Sequence, residues 1–209
     1  VSGRIGNAGQ TCCASKRFLV QRGIYDRFAM ALKNRLEQLK IGDPADPSVE
    51  LGPVIRKEEA AVVTAQIQKT LDQGGTLVCG GNRTGAFVAP TVILTPKTAD
   101  IAKDMEVFGP VFPLIPFETE QEAVEIANQT CYGLSSGVMT ADMGKAVRTA
   151  MQLQTGACIL GGSGNYRLAH QPFGGYKLSG LGREGAVSTL EEMTQQKTIS
   201  LKGILNGGL

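Results

Sequence analysis

Apolar residues recur at helical spacing in two stretches of the first half of the chain. In residues 24–39 the apolar positions fall three and four apart, and in residues 58–71 Val63, Ile67 and Leu71 are spaced by four. This periodicity gathers apolar side chains on one face of a helix. Glycine and proline interrupt helices, so the first helix is expected to end before residues 42–44 and the second before residues 74–75.

Short apolar or β-branched runs around these helices predict the strands of a sheet. They cover residues 17–21, 76–79, 87–94, 111–117, 134–139 and 157–160. Pro113 and Pro116 predict that the fourth run lies near a sheet edge or pairs irregularly, because proline lacks the amide donor. Strands that alternate with helices require crossover connections. The pattern therefore predicts an α/β fold with a mostly parallel sheet and flanking helices.

Polar residues mark the helix starts of the second half. Thr119, followed three residues later by Glu122, forms a capping box that opens a helix. Asp142 is predicted to cap the next helix. Residues 183–194 predict a final helix, and residues 197–201 predict a terminal strand with one apolar face. An isolated strand at a chain end must pair with another strand.

Length and composition fit one large α/β domain. The 209 residues are 42% hydrophobic and 19% charged, with 27 glycines, and a chain of this size buries roughly 70% of its unfolded surface. No apolar run approaches the roughly 20 residues of a membrane-spanning helix, and no signal-peptide pattern is present, so a cytoplasmic location is expected. The net charge of +2 comes without a basic tract, which argues against nucleic acid as a partner.

The cysteines give no metal-binding pattern. There are five, and Cys79, Cys131 and Cys158 lie in apolar surroundings without the spacing of metal ligands. The single histidine, His170, adds little support for a zinc site and is interpreted as a polar loop residue. No metal site is predicted.

The adjacent thiols of Cys12 and Cys13 stand between a glycine-bearing turn and the strand predicted at residues 17–21. An unperturbed thiol is only about 3% ionised at pH 7, so a nucleophilic cysteine needs help from amides, a helix N-terminus or a base. On chemistry alone, two adjacent thiols are more often small core side chains than nucleophiles. The amino-acid sequence of this stretch, together with those of two later stretches, changes that interpretation.

Three segments carry distinctive sequences: residues 9–12 read GQTC, residues 106–110 read EVFGP and residues 172–184 read PFGGYKLSGLGRE. In this order they resemble the active-site cysteine motif, the motif at the nicotinamide ribose and the C-terminal signature of the NAD(P)-dependent aldehyde dehydrogenase superfamily. Three motifs in the family's order are far more specific than one. The resemblance covers essentially the whole chain, but only the second half of the family's length.

This resemblance implies oxidation of an aldehyde to a carboxylic acid, with hydride transfer to NAD or NADP. It assigns Cys12 as the nucleophile and its backbone N–H as an oxyanion donor. Cys13 is disfavoured because adjacent side chains point in different directions. The resemblance also implies that Glu106 binds the ribose hydroxyls and that Phe108 lies beside the nicotinamide. Phe173 is expected to line the aldehyde pocket, with core packing as the alternative.

In the resembling family, two functional parts lie upstream of the region that this sequence matches. They are the Rossmann domain and the glutamate that activates the deacylating water. The chain alone is therefore expected to be inactive. Residues 1–194 are expected to form the truncated catalytic domain, and residues 195–209 an oligomerisation strand and tail. In the family this strand joins a neighbouring subunit, so a dimer or tetramer is expected. Packing within its own subunit is the alternative.

Other interpretations stay open. A thiol acyltransferase or hydrolase could use Cys12 without nicotinamide, given a base nearby, and a non-catalytic subunit could act as an oligomerisation partner. The aldehyde also stays open, as does the choice between NAD and NADP, since the upstream domain reads the ribose 2′ position in the family. Arg4 and Arg167 are interpreted as surface arginines, with the anchoring of an acidic aldehyde as the alternative.

Overall fold

The computed structural model describes residues 1–203 of the chain. Its strands are β1 (Phe18–Gln21), β2 (Thr76–Cys79), β3 (Arg83–Thr84), β4 (Phe87–Val88), β5 (Thr91–Leu94), β6 (Val111–Phe117), β7 (Tyr132–Gly133), β8 (Ser135–Val138), β9 (Ala157–Leu160) and β10 (Tyr176–Lys177). The main sheet has the order β1-β6-β5-β2, in which the first three strands are parallel and β2 is antiparallel to β5. Separate pairs join β8 with β9, β7 with β10 and β3 with β4.

Helices flank these sheets. They are α1 (Ser2–Ile5), α2 (Tyr25–Glu37), α3 (Lys57–Asp72), α4 (Glu120–Asn128), α5 (Met143–Gln152) and α6 (Ala186–Met193). Short 3-10 turns occupy Gly6–Gly9, Arg22–Ile24 and Asp100–Ala102. The predicted α/β fold with a mostly parallel sheet and flanking helices is confirmed.

The two long helices pack on opposite faces of the main sheet. Successive strand residues point to opposite faces, and the buried clusters follow this rule. Leu32 of α2 packs in one cluster with Phe112 and Leu114 of β6. Val63 of α3 packs in another cluster with Val111 from the same strand. The helical periodicity seen in the sequence therefore marks the faces that cover the sheet.

Strand β6 lies inside the sheet, between β1 and β5, so the prediction that its prolines place it near an edge is wrong. Pro113 is in register with Ile93 on one neighbour, and Pro116 with Val20 on the other. Each proline removes one donor from the ladder. The strand is nevertheless buried on both faces from residue 111 to residue 115, which is typical of interior parallel strands.

The predicted helix starts agree with the structure for α4 and α5. Thr119 Oγ1 accepts a hydrogen bond from the amide of Glu122 at 3.2 Å, and Asp142 Oδ1 accepts one from the amide of Lys145 at 2.9 Å. Helix α6 begins three residues later than predicted, at Ala186. The reason is that Glu184 pairs with another segment and the next residue is a glycine with a φ of 140°.

The C-terminal segment forms no strand pairing within the described residues. Residues 194–202 have no regular secondary structure, and the side chains of Ile199 and Leu201 are largely exposed. The predicted strand over residues 197–201 is therefore not formed within the chain, and its pairing with a neighbouring subunit stays a prediction. Residues 204–209, the end of the predicted tail, lie outside the described residues. Between residues 1 and 203, no helix is long and apolar enough to cross a bilayer.

Candidate active site

A strained loop carries Cys12. It follows α1, and three consecutive residues have left-handed backbone angles: Asn7 with φ 50°, Ala8 with φ 53° and Gly9 with φ 78°. Only glycine adopts this conformation freely, and for other residues it costs roughly 1–2 kcal/mol each. Gln10 anchors the loop, because its side-chain amide donates to the carbonyl oxygen of Asn7 at 2.9 Å and accepts from the amide of Ile55 at 2.9 Å.

Gly9 brings this loop against the segment 106–110. A Cβ atom added at Gly9 would lie 2.3 Å from the carbonyl oxygen of Gly109, a distance that no side chain tolerates without a backbone shift. Two of the three motifs found in the sequence therefore meet at a contact between two glycine backbones. This contact explains in part why the cysteine motif contains a glycine two residues before its threonine.

Cys12 lies in the turn that follows, and its side chain is exposed. Among residues 1–203, its amide N–H donates to no other residue, so this donor is free to bind an added group. Cys13 is half-buried, and burial raises the pKa of its thiol, with a further increase from the charge of Cys12. The two thiols therefore differ in accessibility, in the direction that the resemblance requires.

Glu106 and Phe108 line the same cleft as Cys12, and this cleft has a volume of about 1250 Å³. Helix α3 holds the segment that carries them, since the side-chain amide of Gln66 donates to the carbonyl oxygen of Glu106 at 3.0 Å. Val107 between them is 2% exposed, whereas 40% of Phe108 is exposed. The alternation places the carboxylate and the aromatic ring toward the cleft and the valine in the core.

Arg4 lies beneath this segment. Its side chain is 1% exposed, which corrects its interpretation as a surface arginine. The guanidinium donates to the carbonyl oxygens of Val107 at 2.6 Å and Val111 at 2.8 Å. Burial lowers its pKa to about 10, and the nearby charge of Glu106 acts in the opposite direction. Since both contacts are internal carbonyls, Arg4 supports the backbone of the segment and is not exposed to a substrate.

Lys16 also lines this cleft, and no role is predicted for it from the sequence. Its ammonium group donates to the carbonyl oxygen of Thr11 at 2.8 Å, lies 3.5 Å from Glu106 Oε1 and sits 3.8 Å from the centre of the Phe108 ring. Burial, followed by repulsion from Arg4, lowers its pKa to about 8. Its place four residues after Cys12 is the one signal in the sequence for a position in the cleft.

Phe173 is not among the residues that line the cleft holding Cys12, and its expected place in the aldehyde pocket stays a prediction. Its backbone pairs with Glu184, because the Phe173 amide donates to the carbonyl oxygen of Glu184 at 2.7 Å. This pairing fixes the backbone at Phe173. Its ring lies under the guanidinium of Arg167, 4.3 Å from the ring centre. Arg167 also forms an ion pair with Glu184 at 3.2 Å, as an exposed arginine does.

The loop after β9 also contributes to the lining of the cleft. Gly161, Gly162 and Tyr166 belong to its lining. Gly161 has a φ of 75° and a Cβ atom there would meet nothing within 4 Å, so the glycine serves the turn and not a close contact. His170 lies in an exposed turn further along, as interpreted from the sequence. Residues 1–203 contain no group of three or more His, Cys, Asp or Glu side chains that could hold a metal ion.

Comparison with known proteins identifies the family of the chain. Residues 1–199 match the sequence profile of the aldehyde dehydrogenase family. A betaine aldehyde dehydrogenase of Cereibacter sphaeroides is 42% identical over 200 residues, which are 94% of this chain and 41% of that protein.

Solved structures give the same result. Glyceraldehyde-3-phosphate dehydrogenase of Methanocaldococcus jannaschii, complexed with NADP, has a TM-score of 0.91 at 38% identity over 95% of this chain and 43% of its own. Aldehyde dehydrogenase 21 of Physcomitrella patens, in complex with the reaction product succinate, has a TM-score of 0.92 at 35% identity over 100% of this chain and 43% of its own. The chain thus spans about two-fifths of the length of these relatives, and it belongs to the aldehyde dehydrogenase family.

Proposed function

We propose that this chain is the cysteine-bearing part of an enzyme that oxidises a small aldehyde to a carboxylic acid with NAD or NADP as the hydride acceptor. The observation that carries the proposal is that Cys12 lines one cleft with Glu106 and Phe108, although 94 positions separate Cys12 from Glu106 in the sequence. Such a grouping supports nucleophile and cofactor roles far better than three separate motifs do.

The chemistry begins at the Cys12 sulfur. As a thiolate it attacks the aldehyde carbon, forms a C–S bond and turns the carbonyl oxygen into an oxyanion. The unoccupied amide N–H of Cys12 is suited to donate to that oxygen, and one preorganised donor of this kind contributes about 3–4 kcal/mol to transition-state stabilisation. Loss of hydride from the same carbon leaves a thioester on Cys12, which water then cleaves to release the acid.

Glu106 and Phe108 fit the nucleotide by their chemistry. An exposed carboxylate has two acceptor oxygens for two adjacent ribose hydroxyls. The Phe108 ring, 40% exposed beside the same cleft, offers a flat apolar surface to the nicotinamide. When bound, the nicotinamide supplies the hydride acceptor. Glu106 then orients the ribose, and Phe108 shields that side of the site from water.

The remaining machinery is proposed to come from the rest of the enzyme. The family resemblance assigns most nucleotide contacts and the glutamate that activates the deacylating water to a region upstream of this chain. This chain alone is therefore expected to react at Cys12 without turning over. The term complete enzyme means this chain joined to such a nucleotide-binding half. Its proposed assembly is a dimer or tetramer.

The experiment that tests the nucleophile on this chain is competitive alkylation. Limiting iodoacetamide is added to the 209-residue protein at pH 7, and peptide mass spectrometry measures the modified fraction of each of the five cysteines. Cys12 is expected to react first and Cys13 much later, because Cys12 is exposed and the pKa of Cys13 is raised. If Cys12 reacts no faster than the half-buried cysteines, the proposal is rejected.

The second candidate function is that of a non-catalytic oligomerisation subunit. It is favoured by the exposed apolar side chains of the C-terminal segment, with Ile199 76% and Leu201 62% exposed. A subunit of this kind should associate but show no fast-reacting thiol. The alkylation experiment therefore separates the two functions.

A further inference from the structure

Lys16 stands at the junction between the two loops of the site. It lies between the Cys12 turn and β1, and its side chain is only 18% exposed. A lysine normally extends its ammonium group into water, because removal from water is costly. Here the group instead turns inward to three partners on two segments, the carbonyl oxygen of Thr11, the carboxylate of Glu106 and the ring of Phe108.

Each contact has a distinct physical basis. The hydrogen bond to Thr11, at 2.8 Å, is charge-assisted and holds the residue just before Cys12. The distance to Glu106 Oε1, 3.5 Å, is that of an ion pair. The ammonium lies 3.8 Å from the Phe108 ring centre, well within the range of a cation–π contact. Together they connect the nucleophile's turn to both residues proposed to face the nucleotide.

We propose that Lys16 is a positioning residue that holds Glu106 and Phe108 in the orientation that binds the nicotinamide nucleotide, with the Thr11 carbonyl as its fixed point. This inference rests on the proposed function. It assigns to Lys16 no contact with the reacting atoms. Its role is to keep a carboxylate and a ring, each on an exposed part of a loop, from adopting other rotamers before the nucleotide arrives.

The charge on Lys16 gives the inference a pH dependence. The ionisable groups that face it are Arg4 from α1, Glu106 from the loop before β6, and the thiols of Cys12 and Cys13. Burial and Arg4 lower the pKa of Lys16 to about 8, whereas Glu106 and Cys12 act in the opposite direction. The ammonium is therefore present below pH 8 and is lost as the pH rises through that value. The ion pair and the cation–π contact are lost with it.

The test measures steady-state kinetics of the complete enzyme, with Lys16→Met, Lys16→Arg and the control Lys33→Met. Lys33 forms an ordinary helix-surface pair with Glu37 at 3.7 Å. Lys16→Met is expected to raise the KM for NAD(P) about tenfold with a much smaller change in kcat, since loss of one charged contact costs about that factor. Lys16→Arg should recover most of the loss, and Lys33→Met should match the wild type.

The pH profile gives a second readout. The wild-type KM for the nucleotide should rise between pH 7 and pH 9, whereas that of Lys16→Met should stay high and flat. The thiols are common to both proteins, so the difference between the two profiles belongs to Lys16. A Lys16→Met KM within twofold of the wild type, or a flat wild-type profile, overturns the inference. If Lys16→Met does not fold, the KM of Lys16→Arg for the nucleotide and the pH profile of the wild-type KM test the inference instead.

Failure of this inference can be distinguished from failure of the proposed function. If the wild-type enzyme oxidises aldehydes and Cys12→Ala does not, the function stands whatever Lys16 does. If Cys12→Ala keeps full activity, the function is rejected and the role of Lys16 falls with it.

Discussion

Gly9 brings the loop that carries Cys12 against the segment 106–110, and its substitution tests that contact. Gly9→Ala places a side chain at a φ of 78° and a Cβ atom 2.3 Å from the carbonyl oxygen of Gly109. We expect the free energy of unfolding to fall by at least about 2 kcal/mol, from left-handed strain and the forced backbone shift. Denaturant unfolding of the 209-residue chain measures the change.

The matched control for this prediction is Gly6→Ala. Gly6 begins the same turn, but its φ is −51° and a Cβ atom there would meet nothing within 4 Å. Its effect should stay within about 0.5 kcal/mol. Equal effects at the two glycines would show that the close approach of Gly9 to Gly109 has no energetic importance.

Arg4 gives a second prediction at the residue scale. Arg4→Met leaves the carbonyl oxygens of Val107 and Val111 without their donors in the protein interior. The expected loss is about 2–4 kcal/mol of unfolding free energy, because each orphaned buried acceptor costs roughly 1–3 kcal/mol.

Thermal or denaturant unfolding checks the loss at Arg4, with Arg22→Met as the control. Arg22 pairs with Glu118 in solvent, at 54% and 60% side-chain exposure, and such pairs contribute less than about 1 kcal/mol. A neutral Arg4→Met would contradict its role as the support of the segment.

The residues of the candidate site that belong to motifs could be predicted from the sequence. The residues that connect those motifs in space could not. Cys12, Glu106 and Phe108 were predicted because their neighbours resemble a family. Arg4 and Lys16 were not, since an arginine or lysine is usually solvated and nothing in the local pattern shows that its charge turns inward. For Phe173 the motif predicts a place in the aldehyde pocket, but nothing in the local pattern predicts that its backbone pairs with a residue eleven positions later.

At the scale of the elements, the start of α4 offers a test of local stabilisation. Thr119→Ala removes the hydroxyl that accepts from the amide of Glu122 at 3.2 Å. The expected loss is about 1 kcal/mol of unfolding free energy, the usual effect of an N-cap substitution. Denaturant unfolding measures it, with Gln121→Ala on the exposed helix surface as a control that should change stability by less than about 0.5 kcal/mol. Equal losses at the two positions would contradict the capping role.

Most helices and strands could be predicted from periodicity, and the exceptions have a common cause. The position of β6 inside the sheet depends on burial of both its faces, which outweighs the donors lost at Pro113 and Pro116. The late start of α6 depends on a pairing with Phe173 that distant residues create. Local pattern indicates most of the segments that form helices or strands, while contacts between segments determine where they lie, where they begin and, for residues 197–201, whether a strand forms within the chain.

At the scale of the whole molecule, the C-terminal segment predicts association. Ile199 and Leu201 alternate with Thr198 and Ser200, so one face of an added strand would be apolar. Ile199→Glu is expected to weaken the oligomer, because it places a charge on that face. Size-exclusion chromatography with light scattering measures the mass, and Ser200→Glu on the other face is the control. Identical masses for wild type, Ile199→Glu and Ser200→Glu would contradict docking through this face.

The central claim, that the sulfur of Cys12 forms the covalent bond to the aldehyde, is tested most directly by the activity of the complete enzyme with Cys12→Ala and with Cys13→Ala. Cys12→Ala is expected to lower kcat by at least about 10,000-fold, as loss of a nucleophile does, while folding and nucleotide binding are unchanged. Cys13→Ala should keep activity near that of the wild type. Persistent activity in Cys12→Ala, or its loss in Cys13→Ala alone, would contradict the account.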